Sequence, residues 1–110
     1  MEKKSKAETF IGFSIRAGKV KIGTNAVATL KKANLIIVCK TASENTKKEA
    51  DKFAKKFHCS VIETLNRPLS EFVHKENAKV MAINDKQLSQ AILNNLEEDF
   101  IARNQEIING

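Results

Sequence analysis

The run Leu35-Ile36-Ile37-Val38-Cys39 constrains this chain more than any other segment. It is short, continuous, apolar and β-branched, which reads as a strand buried on both faces. Such a strand needs cover above and below, and helical patterns flank it in the sequence. Ala7, Phe10, Ile11, Ser14 and Ile15 fall on one face of a first helix, and Gly18 is suited to end it in a left-handed turn. Lys19-Val20-Lys21-Ile22 alternates like a half-exposed strand. Gly23-Thr24-Asn25 then reads as a turn and helix start, with Thr24 or Asn25 as cap. The helix behind it turns Val27, Leu30 and Ala33 inward and Lys31 and Lys32 outward.

Thr46-Lys47-Lys48-Glu49 fits a capping box for a helix that buries Ala50, Phe53, Ala54 and Phe57. Cys59-Ser60-Val61-Ile62 is the next expected strand. Pro68 opens a helix carrying Leu69, Phe72 and Val73. Lys79–Ile83 reads as the last strand. Asn84 or Gln87 caps a final helix through Leu88, Ala91, Ile92 and Leu96. From Glu97 onward, Phe100, Ile101, Ile107 and Ile108 suit either a docked helix or a frayed tail. This order predicts one α/β domain over residues 1–110, a three-layer α/β/α sandwich around a mixed sheet of about four strands.

Charge is unevenly spread. Residues 1–56 hold 14 Lys/Arg against 5 Asp/Glu, while residues 57–110 hold 5 against 8. The formal net charge of +6 favours an anionic partner, and the first half is where its contact face is expected. Cys39 and Cys59 lack metal-ligand spacing and read as buried thiols of a reducing compartment. No signal-type stretch and no run of about 18 apolar residues occurs, so a cytoplasmic protein without a membrane partner is expected.

Catalysis finds little support in the residues. Phosphate-loop, dinucleotide and nucleophile-elbow patterns are absent from the sequence. His58 and Cys59 are neighbours, which on a strand point to opposite faces. His74 falls near an expected helix end, and Glu97-Glu98-Asp99 reads as a solvated face. No cofactor, no metal and no enzymatic activity are expected. With no Trp, no Tyr and Phe mostly in core stripes, base stacking on exposed rings has few donors. The anion of choice is therefore folded RNA, read by shape and phosphate contacts. Gly23, Thr24 and Asn25 form the candidate docking turn. Lys19, Lys21, Lys31 and Lys32 are candidate phosphate contacts. The alternatives are an adaptor whose basic face meets an acidic protein, and a small enzyme with a pocket around His58, His74 or the cysteines.

The block Phe10–Val20, then Gly23-Thr24-Asn25, Leu35–Val38 and Ala42–Lys48, resembles the YlxQ-like bacterial proteins. These belong to the superfamily of kink-turn-binding ribosomal proteins. The resemblance runs from about Phe10 to about Leu96. It implies an α/β/α sandwich that binds kinked RNA with sheared G·A pairs through a Gly-x-Asn-Glu-x-x-Lys motif. Gly23 and Asn25 match that motif. Ala26 and Thr29 stand where it has Glu and Lys. A second family loop maps onto Leu65–Leu69, making Arg67 a further candidate contact, with Ser70 in place of a glycine. The partner so implied is structured RNA, ribosomal RNA first, bound by a monomer.

Overall fold

The computed structural model describes residues 5–103. In chain order the elements are α1 (Lys6–Arg16), β1 (Val20–Ile22), α2 (Thr24–Ala28), β2 (Leu35–Val38), α3 (Glu44–Phe57), β3 (Ser60–Thr64), α4 (Leu69–Val73), β4 (Val80–Ile83), α5 (Lys86–Leu93) and β5 (Phe100–Ala102). The strands form one mixed sheet in the order β1-β4-β2-β3-β5. β2 and β3 are parallel, and the other three pairings are antiparallel.

Every residue of β2 and of β4 is buried. Successive strand residues point to opposite faces, so both faces of the central sheet are covered. The helices supply that cover in two groups: α1 packs with α4 and α5, and α2 packs with α3. Ile11, Leu35, Ile36, Ile37, Phe72, Met81 and Ile92 are among the largest side chains fully enclosed. Each such side chain stabilises the fold by about 1.5–3 kcal/mol relative to exposure.

Local chemistry sets the helix ends. Ser5 accepts a hydrogen bond from the Glu8 N–H, Ser43 from the Thr46 N–H and Asp85 from the Leu88 N–H. Two expected caps are therefore displaced. α3 starts at Glu44, ahead of the Thr46 box, because Ser43 reaches the free N–H groups first. Asp85, not Asn84 or Gln87, caps α5. His58 and His74 close α3 and α4 in the left-handed conformation. His58 is thus a helix stop, not a strand neighbour of Cys59.

Three further expectations change. α2 ends at Ala28, so Lys31 and Lys32 lie in the loop before β2 rather than on a helix. Thr29 contributes to that stop, since its hydroxyl donates to the Ala26 carbonyl at 2.6 Å. Glu97–Asp99 form a turn rather than a helix face. The sheet has five strands rather than about four, because Phe100–Ala102 pairs with β3 instead of forming a helix or fraying. Arg103 fixes this edge: it donates two hydrogen bonds to Asp51 on α3 and one to Glu63 on β3. Ile107 and Ile108 lie outside the described residues.

Candidate nucleic-acid interface

Strand direction sorts the candidate residues. β1 and β2 are both antiparallel to β4, and β3 is parallel to β2. So β1, β2 and β3 all finish at one end of the sheet, termed here the upper end, where β4 and β5 begin. The lower end is where the first three start.

Gly23 sits at the upper end, and its N–H donates to the Val80 carbonyl at 2.8 Å. Its φ of 102° and ψ of 145° lie in a region that side chains disfavour strongly. Glycine is required there to turn β1 directly into α2. No side chain caps α2, so neither Thr24 nor Asn25 plays the capping role. Both lie in the first turn instead, Thr24 half-buried and Asn25 exposed. With only five residues, α2 has little dipole to offer an anion.

The charge comes from elsewhere. β4 inserts between β1 and β2, and the segment leading into it lies beside Gly23. Gly23, Thr24, Thr46, Lys75, Asn77 and Lys79 line a shared open groove of about 250 Å³, with Glu76 the carboxylate among its walls. Lys79 Nζ donates to Thr41 Oγ1 at 2.9 Å, which ties the β2–α3 loop to the same groove. The Cys39 N–H donates to the Lys79 carbonyl at 2.7 Å. Lys75, Asn77, Lys79, Thr41 and Thr46 were not among the contact residues expected from the sequence. The signal that finds them is strand order, which no local pattern carries.

Cys39 lies beneath this end and is fully buried. Burial alone would raise its thiol. The opposing hydrogen bonds to Thr41, Leu69 and Thr64 outweigh it and hold the group below its ordinary value. The Leu69 N–H donates to its Sγ at 3.3 Å, so the sulfur anchors the start of α4.

Arg67 is also at the upper end, beyond β3, a strand whose end lies about 14 Å from that of β1 by strand spacing. Its guanidinium is committed. Nη2 donates to Glu8 Oε1 at 2.9 Å, Asp99 Oδ2 is 3.8 Å away, and the group lies 4.3 Å from the centre of the Phe72 ring. The hydrogen bond to Glu8 is the main reason its pKa is raised. Arg67 latches α1 to the β3–α4 loop and to the turn before β5.

Lys19, Lys31 and Lys32 are not brought to Gly23. The Lys19 carbonyl accepts from the Asn84 N–H, and the Asn34 N–H donates to the Ile83 carbonyl, both at 2.8 Å. These bonds fix Lys19 and the Lys31–Asn34 loop at the lower end. Lys21 is exposed on the edge strand between the two ends.

No family model matches the chain, and no curated protein does. A solved structure described as a protein with unknown function from Bacillus halodurans C is similar in fold. The TM-score is 0.69 at 22% identity, over 83% of this chain and 96% of that one. That likeness speaks to the α/β architecture. Among the described residues, no helix is long and apolar enough to cross a membrane.

Proposed function

We propose that this chain binds folded RNA in the cytoplasm, ribosomal RNA first among the candidates, and that it does so without catalysis. Its docking face is the upper end of the sheet. The observation that carries this reading is the convergence of Gly23 and Thr24 with Lys75 and Lys79 around one open groove, with the exposed Asn25 next in the turn. A narrow backbone turn enters a groove, an exposed Asn25 offers a donor and an acceptor to a base edge, and flanking ammonium groups meet phosphates. The lack of exposed stacking rings beside this groove favours a helical RNA over a single strand. The resemblance to YlxQ-like proteins adds a class of target, the kinked RNA helix.

A gel-shift series tests it with three RNAs: a kink-turn, the same RNA with its G·A pairs made Watson–Crick, and a plain duplex. Asn25→Ala is expected to weaken kink-turn binding by about tenfold, the loss of roughly 1–3 kcal/mol typical of a base-edge contact, and to leave duplex binding nearly unchanged. Equal losses on all three RNAs remove Asn25 from a specific contact. An acidic polypeptide bound in preference to every RNA would replace the reading with a protein adaptor.

A further inference from the structure

Between Glu8 and Glu44 the chain contains no acidic residue, yet it carries Arg16, Lys19, Lys21, Lys31, Lys32 and Lys40. Most of these do not serve the upper groove. Lys19, Lys31 and Lys32 are exposed at the opposite end of the sheet, and Lys86 at the start of α5 joins them there. No carboxylate lies within ion-pairing distance of any of the four among the described residues. Asp85, the nearest acid in sequence, has Oδ1 engaged by the Leu88 N–H.

The surface between these lysines is concave, with polar groups set among apolar walls. Lys19 and Asn84 line one groove with Leu30, of about 180 Å³. A second, of about 250 Å³, has Asn34, Lys86 and Gln90 on its walls beside the apolar Phe57 and Leu93, with Ser89 beneath. Ser89 is 2% exposed, and among the described residues its hydroxyl has no hydrogen-bond partner. A buried hydroxyl left unpaired is costly, so an acceptor would be favoured once the groove wall opened enough to reach it. Among the described residues the exposed large apolar side chains are Phe13, Leu65 and Ile101; none lines either groove, and Phe13, in the last turn of α1 near this end, has the Arg16 guanidinium 5.1 Å from its ring centre. A protein partner would ordinarily find an apolar anchor at the centre of its site. A phosphate backbone needs only the ammonium groups and polar donors that are present.

We infer that the lower end of the sheet is a second RNA-backbone surface, and that the chain bridges two RNA segments. The inference rests on the RNA-binding reading of the upper end. The two ends face opposite directions along the strands, so one straight duplex cannot lie on both. Sequence-specific contact belongs to the upper groove, and the lower end neutralises phosphates of whatever helix lies beside it.

The test immobilises a kink-turn RNA, loads the protein, washes, and adds a labelled plain duplex. The wild-type chain is expected to retain the duplex. The triple variant K19S/K31S/K32S should keep kink-turn affinity within about twofold and lose most duplex retention, with the salt slope for duplex binding reduced by about two to three ions. A charge-matched control, K6S/K48S/K52S, at exposed positions of α1 and α3 away from the lower end, should retain the duplex. Kink-turn binding without duplex capture by the wild type overturns the inference and leaves the upper site standing. So does equal loss in the control and the triple variant, or displacement of the duplex by poly-glutamate as readily as by poly-phosphate. Salt-dependent duplex binding that needs the three lysines, with no kink-turn preference, overturns the upper-site reading and supports the lower surface. Failure to bind either RNA overturns both.

Discussion

Replacing Arg67 by alanine separates a structural latch from an RNA contact. Glu8 is 8% exposed, and Arg67 is its hydrogen-bonding partner. Removing the guanidinium strands that carboxylate and also uncovers Phe72. Loss of one partner from a fully buried pair costs about 3–5 kcal/mol, but the Arg67 side chain is 36% exposed and water screens part of the interaction. Adding lost contact over the aromatic ring, the expected destabilisation is about 2 kcal/mol. For a domain of this size that lowers the midpoint of thermal unfolding by about 8–16 °C. Glu8→Gln should recover part of the loss in the alanine background, because it removes the stranded charge. The assay is urea denaturation of the two single variants and the double variant, with RNA affinity measured where all are folded. The latch predicts lower stability and RNA affinity unchanged within about twofold. Wild-type stability with RNA affinity lost by tenfold or more would refute the reasoning and return Arg67 to the interface.

Two other expectations follow from the same geometry. Gly23→Ala should cost about 1–3 kcal/mol in urea denaturation, since no atom crowds the new Cβ and the penalty is purely torsional. An unchanged midpoint would mean that this turn does not need its φ of 102°. Burial pushes the Cys59 thiol up to about 11, above its value in an unfolded chain. The folded state therefore favours the protonated thiol. The unfolded chain releases the proton first, so stability is retained below about pH 9 and lost as pH rises toward 11. Cys59→Ala should flatten that alkaline loss by about 1 kcal/mol after allowance for the partial exposure of the thiol, seen by comparing unfolding of the two proteins at pH 8 and pH 10.5. Identical pH dependence in both would show that the thiol titrates normally.

Periodicity carried most of the fold because the elements that matter bury continuous apolar faces. Leu35–Val38 read as a central strand, Lys79–Ile83 as a strand whose central place only the pairing shows, and Ala50, Phe53, Ala54 and Phe57 as the inner face of a helix. Caps were less legible, since several side chains near each helix start compete for the same N–H groups and backbone geometry chooses among them. β5 was hidden for a different reason. Nothing local marks Phe100–Ala102 as a strand. It is held by pairing to β3 and by Arg103 reaching Asp51 and Glu63, contacts formed from distant segments. The turn at Gly23 was visible because glycine tolerates the positive φ that such a turn needs. Its lysines were not, because β4 crosses back between β1 and β2 and brings Lys75 and Lys79 to it. Closeness in sequence had pointed instead to Lys19, Lys31 and Lys32, which the strand direction carries to the far end.

The most direct test of RNA docking at the upper end is a backbone amide chemical-shift map of the whole chain during titration with a kink-turn RNA. The account predicts that the largest shifts fall at Gly23, Thr24, Asn25, Thr41, Lys75 and Lys79, and that they weaken as salt is raised. Shifts centred on Arg67 and α1, or no saturable shifts at all, would contradict it.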